Sequence, residues 1–314
     1  MTLTEALAWA TQRIGAASDS PRQDAEILLA HQLGLSRGQL FTRLREPLRA
    51  ADAEAFEELV ARRVRQLPVA YLTGEKGFWT LTLKVTPAVL VPRPETELLV
   101  EWGLEVLGAP LSPGEGLGSG DSGQNGPHHL PDARPSPVAD ATTSPGGRDK
   151  IRIADLGTGS GAIALALASE RPEASVTATD ASHAALEVAR GNAADLGLER
   201  VQFRQGHWCE PLQGGRFDLI VSNPPYIRAG DDHLPALRHE PLSALTDGAD
   251  GLQCLREIVA TAPALLRPGG WLLLEHGYDQ GEAVRGLLKQ AGLADIATRR
   301  DLGGQERATG ARKP

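Results

Sequence analysis

Cysteine is scarce in this chain: Cys209 and Cys254 are the only two in 314 residues. They stand in unrelated settings. That excludes a disulfide framework and a thiolate-based metal spacing, and it fits a reducing compartment. Positive charge is not in excess either, since the formal net charge is -8. A non-specific grip on nucleic acid is therefore not expected. The opening residues, Met1 to Glu5, lack the basic and apolar regions of a secretory leader. No apolar stretch is long enough to span a bilayer. The expectation is a soluble, cytoplasmic protein with no membrane or direct nucleic-acid partner.

What is present suffices for a large domain plus a smaller one, with 41% hydrophobic residues to fill a core. Residues 1–67 show helical spacing. Leu3, Leu7 and Ala10 begin it, Ala25, Leu28, Leu29 and Leu33 continue it, and Phe56, Leu59, Val60 and Val64 form a third segment. Thr4 is the expected cap of the first helix, and Asp52 precedes the third. This unit reads as a helical bundle, either purely stabilising or a substrate-docking domain. Residues 68–92 form a connector. Phe78 to Val85 and Val89 to Val91 read as the two strands of a β-hairpin. Pro92-Arg93-Pro94-Glu95-Thr96-Glu97 then opens a helix running to about Leu107, with Pro94 and the two glutamates suited to its first turn.

Residues 93–314 read as one α/β domain interrupted by an insertion at 109–149. That insertion is Gly, Pro, Ser, Asp and Ala with almost no large apolar side chain, so disorder is expected. A flexible segment of this length spans roughly 35 Å, and its ends can lie close together. His128-His129 within it lacks the rest of a metal-ligand set. From Ile151 strands and helices alternate. Strands are expected at 151–156, 175–180, 201–205, 217–222 and 270–275, and helices at 162–170, 182–196, 251–266 and 280–291. Two more strands fit at 294–299 and 305–310. The fold class is α/β with a mainly parallel sheet.

Three strand ends carry chemistry. Asp155-Leu156-Gly157-Thr158-Gly159-Ser160-Gly161 is a glycine-rich strand-to-helix turn. Glycines let the backbone approach a ligand, and the helix start offers unpaired N–H groups. Asp180 ends the next strand, where a carboxylate can accept from ribose hydroxyls or cap the following helix. Dinucleotide sites use both devices, so the cofactor stays open at this point. Gln205-Gly206-His207-Trp208 ends the third, with Trp208 a flat wall suited to adenine. Asn223-Pro224-Pro225-Tyr226 follows Phe217 to Ser222. Its prolines stiffen the turn and have no N–H to donate. The Asn223 oxygen and the Pro224 carbonyl can accept from a planar NH2 group, and Tyr226 can pack on its face. That combination selects methyl transfer from S-adenosylmethionine (SAM) to a planar nitrogen, driven by orientation.

These residues resemble the HemK/PrmC family of release factor glutamine methyltransferases. The resemblance covers nearly the whole chain apart from 109–149. Besides the two turns it rests on Gly77-Phe78-Trp79, on Leu90 to Glu97, on Glu240-Pro241-Leu242 and on Leu274-Glu275-His276-Gly277. It implies a seven-stranded SAM-dependent fold, with the product S-adenosyl-L-homocysteine. It implies class I peptide chain release factors as partners, methylated on the side-chain N5 of the Gly-Gly-Gln glutamine, and N-terminal helices that help hold them. A monomer is expected. Gly157, Thr158, Gly159, Ser160 and Gly161 would cradle the methionine part, Asp180 the ribose and Trp208 the adenine. Asn223 would sit beside the methyl and bind the substrate amide, with Pro224, Pro225 and Tyr226 completing the slot. His207 departs from the family, which commonly has an acidic residue there. A histidine accepts from the adenine amino group only as one neutral tautomer, so weaker or more pH-sensitive cofactor affinity is expected. Gly303-Gly304-Gln305 duplicates the substrate motif; its two readings are self-methylation and, the favoured one, chance in a glycine-rich chain. The rival chemistries are a ribosomal-protein glutamine, a flipped adenine and a binding module without turnover.

Overall fold

The computed structural model describes residues 1–108 and 150–314. The expected disorder at 109–149 and the His128-His129 pair lie outside the described residues.

The N-terminal part is helical: α1 (Leu3–Ile14), α2 (Pro21–Leu33), α3 (Arg37–Thr42), α4 (Ala50–Val64) and α5 (Val69–Thr73). Leu7, Ile14, Leu28, Leu29, Leu40 and Phe56 meet in its core, following the three/four spacing that gathers apolar side chains on one stripe. Two expected caps are corrected. Thr2, not Thr4, caps α1; its side chain accepts from Glu5 N while the Glu5 carboxylate accepts from Thr2 N. That reciprocal pair satisfies two orphan donors of the first turn. Asp52 lies inside the first turn of α4 and is gripped by Arg49 at 2.6 and 3.1 Å.

The hairpin is shorter than expected. It consists of β1 (Glu75–Phe78) and β2 (Leu81–Lys84), with Phe78 opposite Leu81. The apolar run Phe78 to Val85 thus contains the turn, which Trp79 makes at φ +56. Val89 to Val91 forms no strand; Glu240 holds it instead, its Oε2 accepting from Val91 N at 3.0 Å. Side chains fasten the hairpin to the larger domain. Trp79 donates its backbone N–H to Glu97 and its indole N–H to Glu170. The buried Asn192 side chain pairs with both backbone groups of Lys84 and also donates to Ser160 O.

After a 3-10 turn at Pro94–Thr96 come α6 (Glu97–Val106), β3 (Arg152–Leu156), α7 (Ala162–Glu170), β4 (Ser175–Asp180), α8 (His183–Asp195) and β5 (Gln202–Gln205). They are followed by β6 (Phe217–Ser222), α9 (Gln253–Leu265), β7 (Leu266–Glu275), α10 (Gly281–Gln290), β8 (Ala294–Arg300) and β9 (Glu306–Arg312). The sheet order is β5-β4-β3-β6-β7-β9-β8, parallel through β7 and antiparallel at β9 and β8. Alternate residues face opposite layers. Ile153, Leu219, Val221 and Leu273 join the layer with α6 and α7, whereas Ala154, Ile220, Leu272 and Leu274 join the layer with α9 and α10. Helix α7 is buried from Ala162 to Ala168, which explains its unbroken Ala/Leu/Ile face. Strand order reverses between β3 and β6. In a sheet of this kind the crevice forms beyond the strand ends at that reversal. The glycine turn follows β3 and the Asn-Pro-Pro-Tyr turn follows β6, so the topology brings them together.

Candidate active site

A cavity of about 580 Å³ opens at the reversal. Among the expected residues Gly157, Thr158, Gly159, Ser160, Asp180, Trp208, Asn223 and Pro225 line it. Gly161, Pro224 and Tyr226 do not; Gly161 is the N-cap before α7, Pro224 is buried, and the Tyr226 hydroxyl turns to Glu275 Oε1 at 3.2 Å. Arg93, Thr96 and His207 also reach the cavity.

The β3–β4 side is made mainly of backbone. Gly157 N and Thr158 N both donate to Thr179 O at 2.9 Å, which folds the turn back over β4. Gly157 stands at φ +70, and a Cβ there would sit 2.9 Å from the Trp208 ring. Gly159, at φ +56, would instead send a Cβ into open space. This bare backbone on a cavity wall fits an elongated ligand lying across it. Asp180 Oδ2 accepts from Gly159 N at 2.9 Å and Oδ1 from Ser182 N at 2.8 Å. Each oxygen keeps a lone pair for a ligand hydroxyl. Burial raises the Asp180 pKa against the lowering effect of these two N–H groups. Beneath the turn, Asp155 Oδ2 accepts from Thr158 Oγ1 and Ala164 N, while Oδ1 is buried without a partner. Burial drives the Asp155 carboxyl up to about 7.

Trp208 adopts φ +45 and donates its indole N–H to Glu257 Oε2 at 3.1 Å. His207 packs edge-on against it with ring centroids 5.2 Å apart, its Nε2 3.8 Å from the same Glu257 oxygen. An acidic group therefore does stand at this corner, supplied from α9.

The β6–β7 side is made of side chains. Ser222 Oγ donates to Leu156 O at 2.7 Å, which stitches β6 to β3 at the mouth. Asn223 Nδ2 donates to Thr96 Oγ1 at 3.0 Å. With Nδ2 on Thr96, Oδ1 is left as the acceptor for the cavity. The buried Glu240 forms an ion pair with Arg93, which accounts for the Glu240-Pro241-Leu242 mark. The same loop reaches the N-terminal helices through Arg238, whose guanidinium donates to Gln66 Oε1 and Arg65 O. Spacing could not have revealed Thr96, Glu257 or Glu275 as partners, because each acts on a residue at least 49 positions away.

A doubly wound sheet with a glycine turn, a strand-end carboxylate and an Asn-Pro-Pro-Tyr turn around one crevice defines a SAM-dependent methyltransferase. Consistent with that class, residues 143–278 match the methyltransferase small domain, and residues 5–74 match the PrmC N-terminal domain. The release factor glutamine methyltransferase of Xylella fastidiosa (strain Temecula1) is 50% identical over 310 residues, 98% of this chain and 97% of that protein. That of Coxiella burnetii is 41% identical over 313 residues, covering 100% and 99%. Among solved structures, a ribosomal protein L11 methylase from Lactobacillus delbrueckii subsp. bulgaricus aligns with 53% of this chain and 72% of its own, at 22% identity and a TM-score of 0.40. The chain belongs to the release factor glutamine methyltransferase family.

Proposed function

We propose that this protein transfers a methyl group from SAM to N5 of the glutamine in the Gly-Gly-Gln motif of peptide chain release factors, leaving S-adenosyl-L-homocysteine. The observation that carries this reading is the Asn223 amide. Its nitrogen is tied to Thr96, and it faces the cavity lined by the glycine turn and Asp180.

SAM supplies an electrophilic methyl on a sulfonium. The protein's part is placement. Gly157 to Ser160 hold the methionine end, and Gly159 gives that end room because it has no Cβ. Asp180 accepts from the ribose hydroxyls, and Trp208 walls the adenine. Asn223 Oδ1 accepts from the substrate NH2. A fixed acceptor there turns the amide so that its delocalised lone pair points at the methyl. Such orientation supplies several kcal/mol, on the order of 7–11 in the best intramolecular cases. No base is needed beforehand, because the nitrogen becomes acidic as its new bond forms. Pro225 and Tyr226 stiffen the slot, Tyr226 from behind the wall through Glu275. The N-terminal helices and the Arg238 loop form the docking surface for the release factor, in a monomeric, cytoplasmic enzyme. Among the described residues no helix is long and apolar enough to cross a membrane.

The test is mass spectrometry of a purified release factor after incubation with this protein and SAM. One added methyl on the glutamine of the Gly-Gly-Gln loop is expected. SAM binding with no methyl on that peptide would move the reading to another amide or to an adenine.

A further inference from the structure

Behind the cavity lies a buried polar chain that the placement of substrate and cofactor does not use. Thr96 is 4% exposed and accepts from Asn223 Nδ2 at 3.0 Å. A hydroxyl that accepts must still place its own proton. The neighbour able to take it is Glu275 at the end of β7. That carboxyl is 1% exposed, accepts from the Tyr226 hydroxyl at Oε1, and has no partner at Oε2. The Thr96 hydroxyl lowers the Glu275 pKa as a donor does. Turning the Thr96 proton toward the Glu275 carboxylate, whose Oε2 is partnerless, gives the chain one direction: Thr96 then accepts from the Asn223 nitrogen, and the Asn223 oxygen is left for the cavity.

We propose that Thr96 and Glu275 are positioning residues that fix which end of the Asn223 amide meets the substrate. An asparagine amide is nearly symmetric in shape, and a turn about its last bond exchanges oxygen for NH2. With NH2 outward, Asn223 would face the substrate NH2 donor to donor. An ionised Glu275 forbids that arrangement, because it accepts only. A protonated Glu275 permits it. Its own O–H can then donate to Thr96, and the Thr96 proton can turn to the Asn223 oxygen. This inference rests on the reading of Asn223 as the acceptor for the substrate amide.

Burial pushes the Glu275 carboxyl up to about 7. The groups that face it are Thr96 and Tyr226, the Arg307 guanidinium from β9, which lowers its pKa, and Glu95, which raises it. Activity that needs the ionised form is lost as pH falls through that value.

The experiment is steady-state kinetics of Thr96→Val, Thr96→Ser and Glu275→Gln at saturating SAM and release factor, beside calorimetric SAM binding. Thr96→Val keeps the shape but not the acceptor, and its kcat should fall about tenfold or more while SAM affinity and KM stay within about twofold. Thr96→Ser should restore most of the rate. Glu275→Gln should lower kcat and lose the fall in rate below about pH 7. A wild-type kcat for Thr96→Val, with Asn223→Ala inactive, overturns the relay and leaves the Asn223 reading standing. A wild-type kcat for Asn223→Ala overturns that reading itself. Should Thr96→Val not fold, Glu275→Gln decides alone: an unchanged acid limb overturns the proposal.

Discussion

The two walls of the cavity are built from different material. On the β3–β4 side the contacts come from a glycine turn whose shape is set by hydrogen bonds to Thr179 and Asp180. On the β6–β7 side they come from the amide of Asn223, aimed by a hydroxyl 127 residues earlier. A backbone wall needs space and left-handed dihedrals, so its mutations should act on ligand affinity. A side-chain wall needs orientation, so its mutations should act on turnover. The separation of binding from rate is thus drawn between neighbouring strands.

The sharpest test of that division is Asn223→Ala. Removing a fixed acceptor should lower kcat by roughly 10²–10³, the loss typical of one pre-aligned donor or acceptor. SAM affinity by calorimetry should stay within about threefold; an equal loss in both would erase the distinction. On the other wall, Gly157→Ala meets both a left-handed φ of +70 and the Trp208 ring 2.9 Å away. SAM affinity should fall at least ~10-fold through displacement of the turn, equivalent to roughly 1.4 kcal/mol.

Acidity separates the walls less steeply. The Asp155 carboxyl is raised to about 7 in the folded chain, well above its unfolded value near 4. A raised carboxyl binds its proton more tightly in the folded state, so stability is fully present below the unfolded pKa and declines as pH rises through about 7. Glu275 has the same sign. Melting temperature should fall across that window, and Asp155→Asn should flatten its share. An unchanged slope in Asp155→Asn would remove Asp155 as the cause. The smallest effect is expected at His207. His207→Asp gains a fixed acceptor but places a second carboxylate near Glu257, which already lies 3.8 Å from the imidazole. SAM affinity at neutral pH should rise by no more than about threefold, the scale of a partly exposed charge pair. Calorimetry at two pH values reads it.

The same contrast governs what was legible from the sequence. Strands β3, β4 and β6 coincide with the expected runs within one residue, because apolar stretches end at glycine, aspartate or asparagine. The glycine turn, Asp180, Trp208 and Asn223 could be found by their place after a strand. The hairpin could not be bounded, because Trp79 turns inside an unbroken β-prone run. Thr4 is the expected cap, but the cap is Thr2, because only Thr2 has the reciprocal reach of Glu5. Thr96, Glu240, Glu257 and Glu275 were visible as letters without roles. Their partners are supplied by the tertiary fold, and no local periodicity encodes such long-range pairs.

Trp208 carries a consequence of another kind. The chain has five tryptophans, and this one lies against the glycine turn with its ring on the cavity and its indole N–H on Glu257. A flat base stacked there would change its excited-state environment directly. The enzyme therefore contains its own optical probe: cofactor arrival should be readable as a change in intrinsic emission, without a label, and Trp208→Phe should silence that signal.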